Sequence, residues 1–266
     1  MLHVMTDAYR SVESKLNDIK YIFELINKLT YYLDVKSIMP PMIIPYYYGT
    51  IPEDHGISAF VMLEGGHFTI HTFSYRECYF ADLLYSDYFD SEKFIHLLKE
   101  ELPCNEMRAQ KFDRRFRSEI QAPPNHDTKN DFGPHLLGKV QPNTKIDLDT
   151  LFDLFESMPY DLNMDPIMRP YLLKSSKNNP KYLSGMTLIA QSHIAMHYNI
   201  SENSMFVDMF SCSFTDFTKF KAALNTYFGT QIPFELIIRG SKHDFVKTKL
   251  ETRISRYNAW QTNIND

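Results

Sequence analysis

Apolar residues recur at helical spacing in ESKLNDIKYIFELINKL (14–30) and again in DLDTLFDLFESM (147–158). Each stretch predicts an amphipathic helix. Extended, strongly apolar segments follow each one. In the second half these are SGMTLIAQSHIAMHY (184–198) and MFVDMFSC (205–212), with the polar NISENS (199–204) as the turn between them. A further helix is predicted over DSEKFIHLLKEEL (90–102) and over DFTKFKAALNTYF (216–228), with Asp90 and Asp216 at the N-cap positions. FELIIRG (234–240) predicts a closing strand. Helices that alternate with hairpins make each half an α+β layer, with helices on one face of an antiparallel sheet. Two such layers can pack sheet to sheet, in the order αββα.

The halves are related in sequence. LDVKSIMPP (33–41) matches LNMDPIMRP (162–170), and GGHFTIH (65–71) matches QSHIAMH (191–197). Asp82 then matches Asp208, Asp90 matches Asp216, and the KF pair at 93–94 matches that at 219–220. The order is kept throughout, which identifies a tandem duplication. The polar stretch QAPPNHDTKNDFG (121–133) is the expected linker. The expected units are a first repeat over 1–120 and a second over 134–266.

Composition narrows the class. The chain has 266 residues, 44% of them hydrophobic and 14% aromatic, enough for a sizeable core. A net charge of −5 argues against nucleic acid or an anionic membrane as the main partner. No apolar run reaches the roughly 18–20 residues of a membrane span. The first residues lack a signal-peptide pattern. Three scattered cysteines, Cys78, Cys104 and Cys212, suit neither a disulfide framework nor a metal knuckle. The expectation is a soluble protein of the reducing cytoplasm.

The histidines carry the candidate chemistry. His67 and His71 repeat as His193 and His197. On a helix this spacing could chelate zinc. On a strand the two residues stand about 13 Å apart, too far for joint chelation, so no metal is expected. Buried strand histidines, each with a hydrogen bond, are the ordinary reading of His67 and His193. Ser192 is different. It precedes His193, whereas the equivalent position in the first half is Gly66. Centring the turn near Glu202 sets Ser192 opposite Cys212 on one face. His197 then falls on the other face unless the chain bends.

Ser184, Ser192, His193, His197, Asp208 and Cys212 stand at the spacing of a motif in the bacterial S-adenosylmethionine decarboxylases, and LSGMTLIAQSHIAMHY…VDMFSC resembles it over about 30 residues. HGISAFVMLEGGHFTIHTF is similar to the same motif in the first half. The resemblance implies a tandem-duplicated pseudo-dimer that makes its own pyruvoyl cofactor. Ser192 would attack the carbonyl of Gln191, and elimination would leave a pyruvoyl group where Ser192 stood. That group forms a Schiff base with a substrate amine and accepts the electrons left by CO₂. By the same resemblance His197 removes the proton for elimination, Ser184 positions the ester, and Cys212 returns a proton to substrate. Glu202 and Asp208 are candidates for substrate binding. Three positions depart from the family pattern. Gln191 replaces a glutamate. Ser201 stands where a glutamate holds the ribose, with Glu202 one residue later and Tyr75 at the equivalent place in the first half. The adenine-stacking aromatic has no match in SSKNNPKYLSG. The expected activity is decarboxylation of S-adenosylmethionine for spermidine synthesis. Decarboxylation of ornithine or arginine, and a non-catalytic homologue that binds a ligand or partner, stay open, as does association of pseudo-dimers.

Overall fold

The computed structural model describes residues 1–47, 51–115, 130–190, 192–212, 217–229 and 234–241. The first half runs β1 (Leu2–Tyr9), α1 (Glu13–Leu16), α2 (Ile19–Tyr32), β2 (Met42–Tyr46), β3 (Gly56–Leu63), β4 (Gly66–Phe73), β5 (Cys78–Tyr85), α3 (Ser91–Glu101) and β6 (Glu106–Asp113). The second runs β7 (Asp131–Val140), α4 (Leu148–Asp161), β8 (Tyr171–Lys174), β9 (Tyr182–Ile189), β10 (Ser192–Asn199), β11 (Ser204–Phe210), α5 (Phe217–Phe228) and β12 (Phe234–Ser241). The first sheet has the order β2-β3-β4-β5-β1-β6 and the second β8-β9-β10-β11-β7-β12. Both are antiparallel throughout. Strand for strand the two orders coincide, so the duplication extends to topology.

Helix starts follow their caps. Asp18 accepts from the amide of Tyr21, Asp90 from those of Glu92 and Lys93, and Asp147 from that of Thr150. Helix α2 buries Ile22, Leu25, Ile26 and Leu29 on its own sheet, and α4 does the same with Leu151, Leu154, Phe155 and Met158. Strands β3, β4, β5, β10 and β11 are buried along their whole length. Each is therefore covered on both faces, by helices outside and by the other sheet inside. This is the expected αββα order.

Several local expectations change. The segment 184–198 is two strands, closed by the pair Ile189–Ser192 across Ala190 and Gln191. Between Met186 and Tyr198 it contains no glycine, proline or asparagine to announce a turn. Ala190 takes a left-handed conformation at φ 46°. Gln191 and Asp216 lie outside the described residues, as does most of 121–133, and β7 already begins at Asp131. The next turn closes at Asn199–Ser204, so His193 pairs with Phe210. This is one position out of the register that set Ser192 against Cys212. Strands β1 and β7, which start the repeats, lie inside their sheets rather than at an edge.

Candidate active site at the junction of the two sheets

Strands β4 and β10 face each other across the inter-sheet space. His67 Nδ1 lies 2.8 Å from His197 Nε2, and His71 Nε2 lies 2.9 Å from His193 Nδ1. These pairs fix the strands as antiparallel across the interface. Each chain of contacts ends on a serine: Ser58 Oγ is 2.9 Å from His71 Nδ1, and Ser184 Oγ is 2.9 Å from His197 Nδ1. Two matching relays result, Ser58–His71–His193 and Ser184–His197–His67. All six side chains are fully buried. Burial pulls His67 down to about 4 and His71 to about 3, and holds His193 and His197 well below the ordinary imidazole value. All four rings are neutral at neutral pH.

Ser192 opens β10 directly after the Ala190 turn. Its Oγ accepts a hydrogen bond from the amide of Cys212 at 2.9 Å. Cys212 is half-buried and packs on Tyr9, Phe73, Cys78, Phe80, Phe132 and Phe210. The expected proximity of Ser192 and Cys212 therefore takes the form of a backbone contact. His197 and Ser184 do not join them. Strand β10 is paired on both sides from His193 to Asn199. His197 thus lies about 16 Å along the strand from Ser192. Ser184 is held at that same distance, opposite His197. The relay at the Ser192 end is the first half's, because His71 sits on His193 and 5.8 Å from the Phe210 ring. Sequence reading kept the serine–histidine pair within one copy. The motif's recurrence in HGISAFVMLEGGHFTIHTF was the signal that the other copy could supply it.

The remaining candidates lie elsewhere. Glu202 is exposed in the β10–β11 turn, at the far end of β10 from Ser192, and its carboxylate accepts from Ser204 Oγ. Asp208 is buried in the middle of β11, where Arg114 Nη1 donates to its Oδ1 at 2.6 Å. Burial alone would raise its pKa, but Arg114 and His3 hold it well below the ordinary carboxylate range. Arg239 forms the counterpart, donating to Asp82 at 2.5 Å and to Asp7 at 2.7 and 2.9 Å. Despite Arg239, burial pushes Asp82 up to about 7. Each arginine reaches from one half into the other.

The equivalent end of the first half is closed. A β-carbon on Gly66 would lie 2.0 Å from the carbonyl oxygen of Leu84. One on Gly65 would lie 2.6 Å from the ring of Tyr182. The residue equivalent to Tyr182 in the first half is Gly56, so no matching ring covers the Ser192 end.

His3, His135 and Asp208 bring ligand atoms within 4.8 Å of one another. Their hydrogen bonds oppose a cation. Arg114 Nη1 donates to His3 Nδ1 at 3.1 Å, and Arg239 Nη1 donates to His135 Nδ1 at 3.0 Å. Arginine does not give up its proton. Both imidazoles, neutral through burial, must therefore carry hydrogen on Nε2, where a metal needs a lone pair.

The sequence model of the family described as S-adenosylmethionine decarboxylase matches residues 2–115 and 139–239. Among solved structures, the adenosylmethionine decarboxylase of Aquifex aeolicus aligns at 19% identity over 47% of this chain and 96% of its own, with a TM-score of 0.37. An unknown protein from Galdieria sulphuraria aligns at 8% identity over 90% of this chain and 98% of its own, with a TM-score of 0.21. No curated protein sequence matches. With its family match falling in both repeats and two antiparallel sheets of one topology, the chain belongs to the S-adenosylmethionine decarboxylase family.

Proposed function

We propose that this chain cleaves itself between Gln191 and Ser192 to make a pyruvoyl group, and then decarboxylates S-adenosylmethionine for spermidine synthesis. One observation carries the reading. Ser192 stands at the head of a buried strand two residues after the left-handed Ala190, its oxygen held by the amide of Cys212, while the matching Gly66 has no room for a side chain. The residues present fit the group: a hydroxyl stands at the cleavage position, and the backbone amide of a half-buried cysteine, Cys212, holds it. A left-handed alanine costs on the order of 1–3 kcal/mol, and cleavage one residue later would release it. The Ser192 hydroxyl adds to the Gln191 carbonyl carbon, and the amide C–N bond gives way to an ester. Removal of the Ser192 α-proton expels the Gln191 carboxylate and breaks the chain. The resulting enamine isomerises to an imine and takes up water, losing ammonia.

We assign the base for elimination to His71 and the ester-positioning hydroxyl to Ser58, in place of His197 and Ser184, because they stand at the Ser192 end of the interface. The pyruvoyl group supplies an electron sink for the carbanion that loss of CO₂ leaves. To Cys212, whose backbone amide meets Ser192, we assign the return of the proton to the substrate α-carbon.

Denaturing mass spectrometry of the purified protein tests the first step. Two fragments meeting at 191/192 are expected, and Ser192→Ala should remain one chain. A wild-type chain that stays intact for days would sink the proposal. A second reading, decarboxylation of a plain amino acid such as ornithine or arginine, draws on the substrate side. Glu202 faces solvent far from Ser192, and the first-half position that would hold the ribose is Tyr75, whose ring lies 6.3 Å from His55. Release of labelled CO₂ from S-adenosylmethionine, ornithine and arginine, measured side by side, separates the two.

A further inference from the structure

The relay at the Ser192 end has a member with no assigned part. His193 follows the cleavage serine, is fully buried, and places its Nδ1 2.9 Å from His71 Nε2. Its own Nε2 has no hydrogen-bond partner among the described residues. His71 is thus held at both nitrogens, by Ser58 on one side and His193 on the other. A neutral imidazole carries one hydrogen, so the relay has two orderings.

In one ordering, Ser58 donates to His71 Nδ1, and His71 Nε2–H donates to His193 Nδ1. Every hydrogen but that on His193 Nε2 is then used. In the other, His193 donates to His71 and His71 to Ser58. The buried Ser58 hydrogen then lacks a partner in the relay, and His193 Nε2 is left as a bare lone pair. The first ordering leaves fewer polar groups unsatisfied, and buried groups of that kind cost about 1–3 kcal/mol each. A buried carboxylate, Asp208, also stands near this relay. The His193 ring lies 5.9 Å from that of His135, whose Nε2 is 3.7 Å from Asp208, and Asp208 Oδ2 is an acceptor without a partner among the described residues.

We propose that His193 is a positioning residue for self-cleavage: by accepting the Nε2 hydrogen of His71, it leaves the His71 Nδ1 lone pair facing the hydroxyl of Ser58. Ser58 can then pass its proton to His71 as it takes up the one that leaves Ser192, and the Nε2 proton of His71 can move on to His193. The inference rests on the self-cleavage reading. His67 provides an internal control. It makes the same contact with His197 at 2.8 Å, but in the relay that ends beside Gly66.

The test follows cleavage of freshly translated chains over time. His193→Leu should lengthen the half-time by about 100-fold or more, within the 10²–10⁴ range of general acid–base effects. His193→Asn, whose amide oxygen can take the place of Nδ1, should stay within about tenfold of wild type. His67→Leu, an equal loss of a buried contact, should stay within about threefold. A His193→Leu chain that cleaves at the wild-type rate, or a His67→Leu chain that slows as much, would overturn the proposal. A second readout needs no cleavage. In Ser192→Ala protein, ¹⁵N-resolved NMR of the imidazoles should find the His71 hydrogen on Nε2 and its Nδ1 bare. A His71 hydrogen on Nδ1 would also overturn the proposal. If the wild-type chain never cleaves, the self-cleavage reading falls, and the His71 tautomer still decides whether His193 plays its part.

Discussion

At Gly66 the difference between the halves comes down to one atom. A β-carbon there would sit 2.0 Å from the backbone oxygen of Leu84, and backbone cannot swing aside as a side chain can. The first half has lost the space for a serine as well as its hydroxyl. Gly66→Ser should therefore produce no second cleavage and should destabilise the fold by about 1–3 kcal/mol, as over-packing does. Mass spectrometry and a urea titration measure the two effects. A new break between residues 65 and 66 would show that the local backbone yields. Ser192 sits in the opposite circumstance, with its oxygen held and a left-handed alanine two residues before it.

Among the elements, strand β12 shows how a distant piece is tied in. Among the described strands it pairs with β7 alone, and Arg239 crosses from it to Asp7 and Asp82 in the other half. Removing the guanidinium leaves two carboxylates buried without their cation. Arg239→Leu is expected to cost about 3–5 kcal/mol by denaturant unfolding, and a loss below about 1 kcal/mol would refute that account. Much at this scale was legible in the sequence. Helices α2, α3 and α4 carry apolar stripes and aspartate caps, and β12 begins at the predicted residue. The hairpin at Ala190 was hidden, because an alanine in the left-handed region leaves no compositional trace. The one-residue shift in β11 follows from the closing pair of a turn, which polar residues locate without fixing. The cross-sheet histidine pairs were beyond reach for a different reason. They depend on how two sheets stack, and no spacing within a single strand encodes that.

Across the whole molecule, the buried imidazoles set the response to acid. Burial lowers His67 and His135 to about 4 and His71 to about 3, and holds His3, His193 and His197 well below the ordinary value. The unfolded chain takes up protons at these sites first. Their contribution to stability is present above the ordinary imidazole value of about 6.5 and is lost as pH falls below it. Asp82 acts in the opposite sense. Raised to about 7, it binds its proton more tightly in the folded state between about pH 4 and 7, which offsets one ring. Six rings against one carboxyl make unfolding take up protons on balance below the ordinary imidazole value. The denaturant midpoint should fall steeply between about pH 7 and pH 5.5, and a flat profile there would mean that the rings are not neutral inside. The antiparallel stacking of β4 on β10 also bears on inheritance. On the self-cleavage reading, the serine that cuts the chain is served by a histidine encoded in the other copy. In an assembly of two identical chains, one mutation strikes both sites at once. Fusion separates them: the first copy can shed its serine while it keeps Ser58 and His71, and the second can lose Ser184 and His197 while it keeps Ser192. Selection then acts on complementary halves of the two copies, and neither copy is left as a spare.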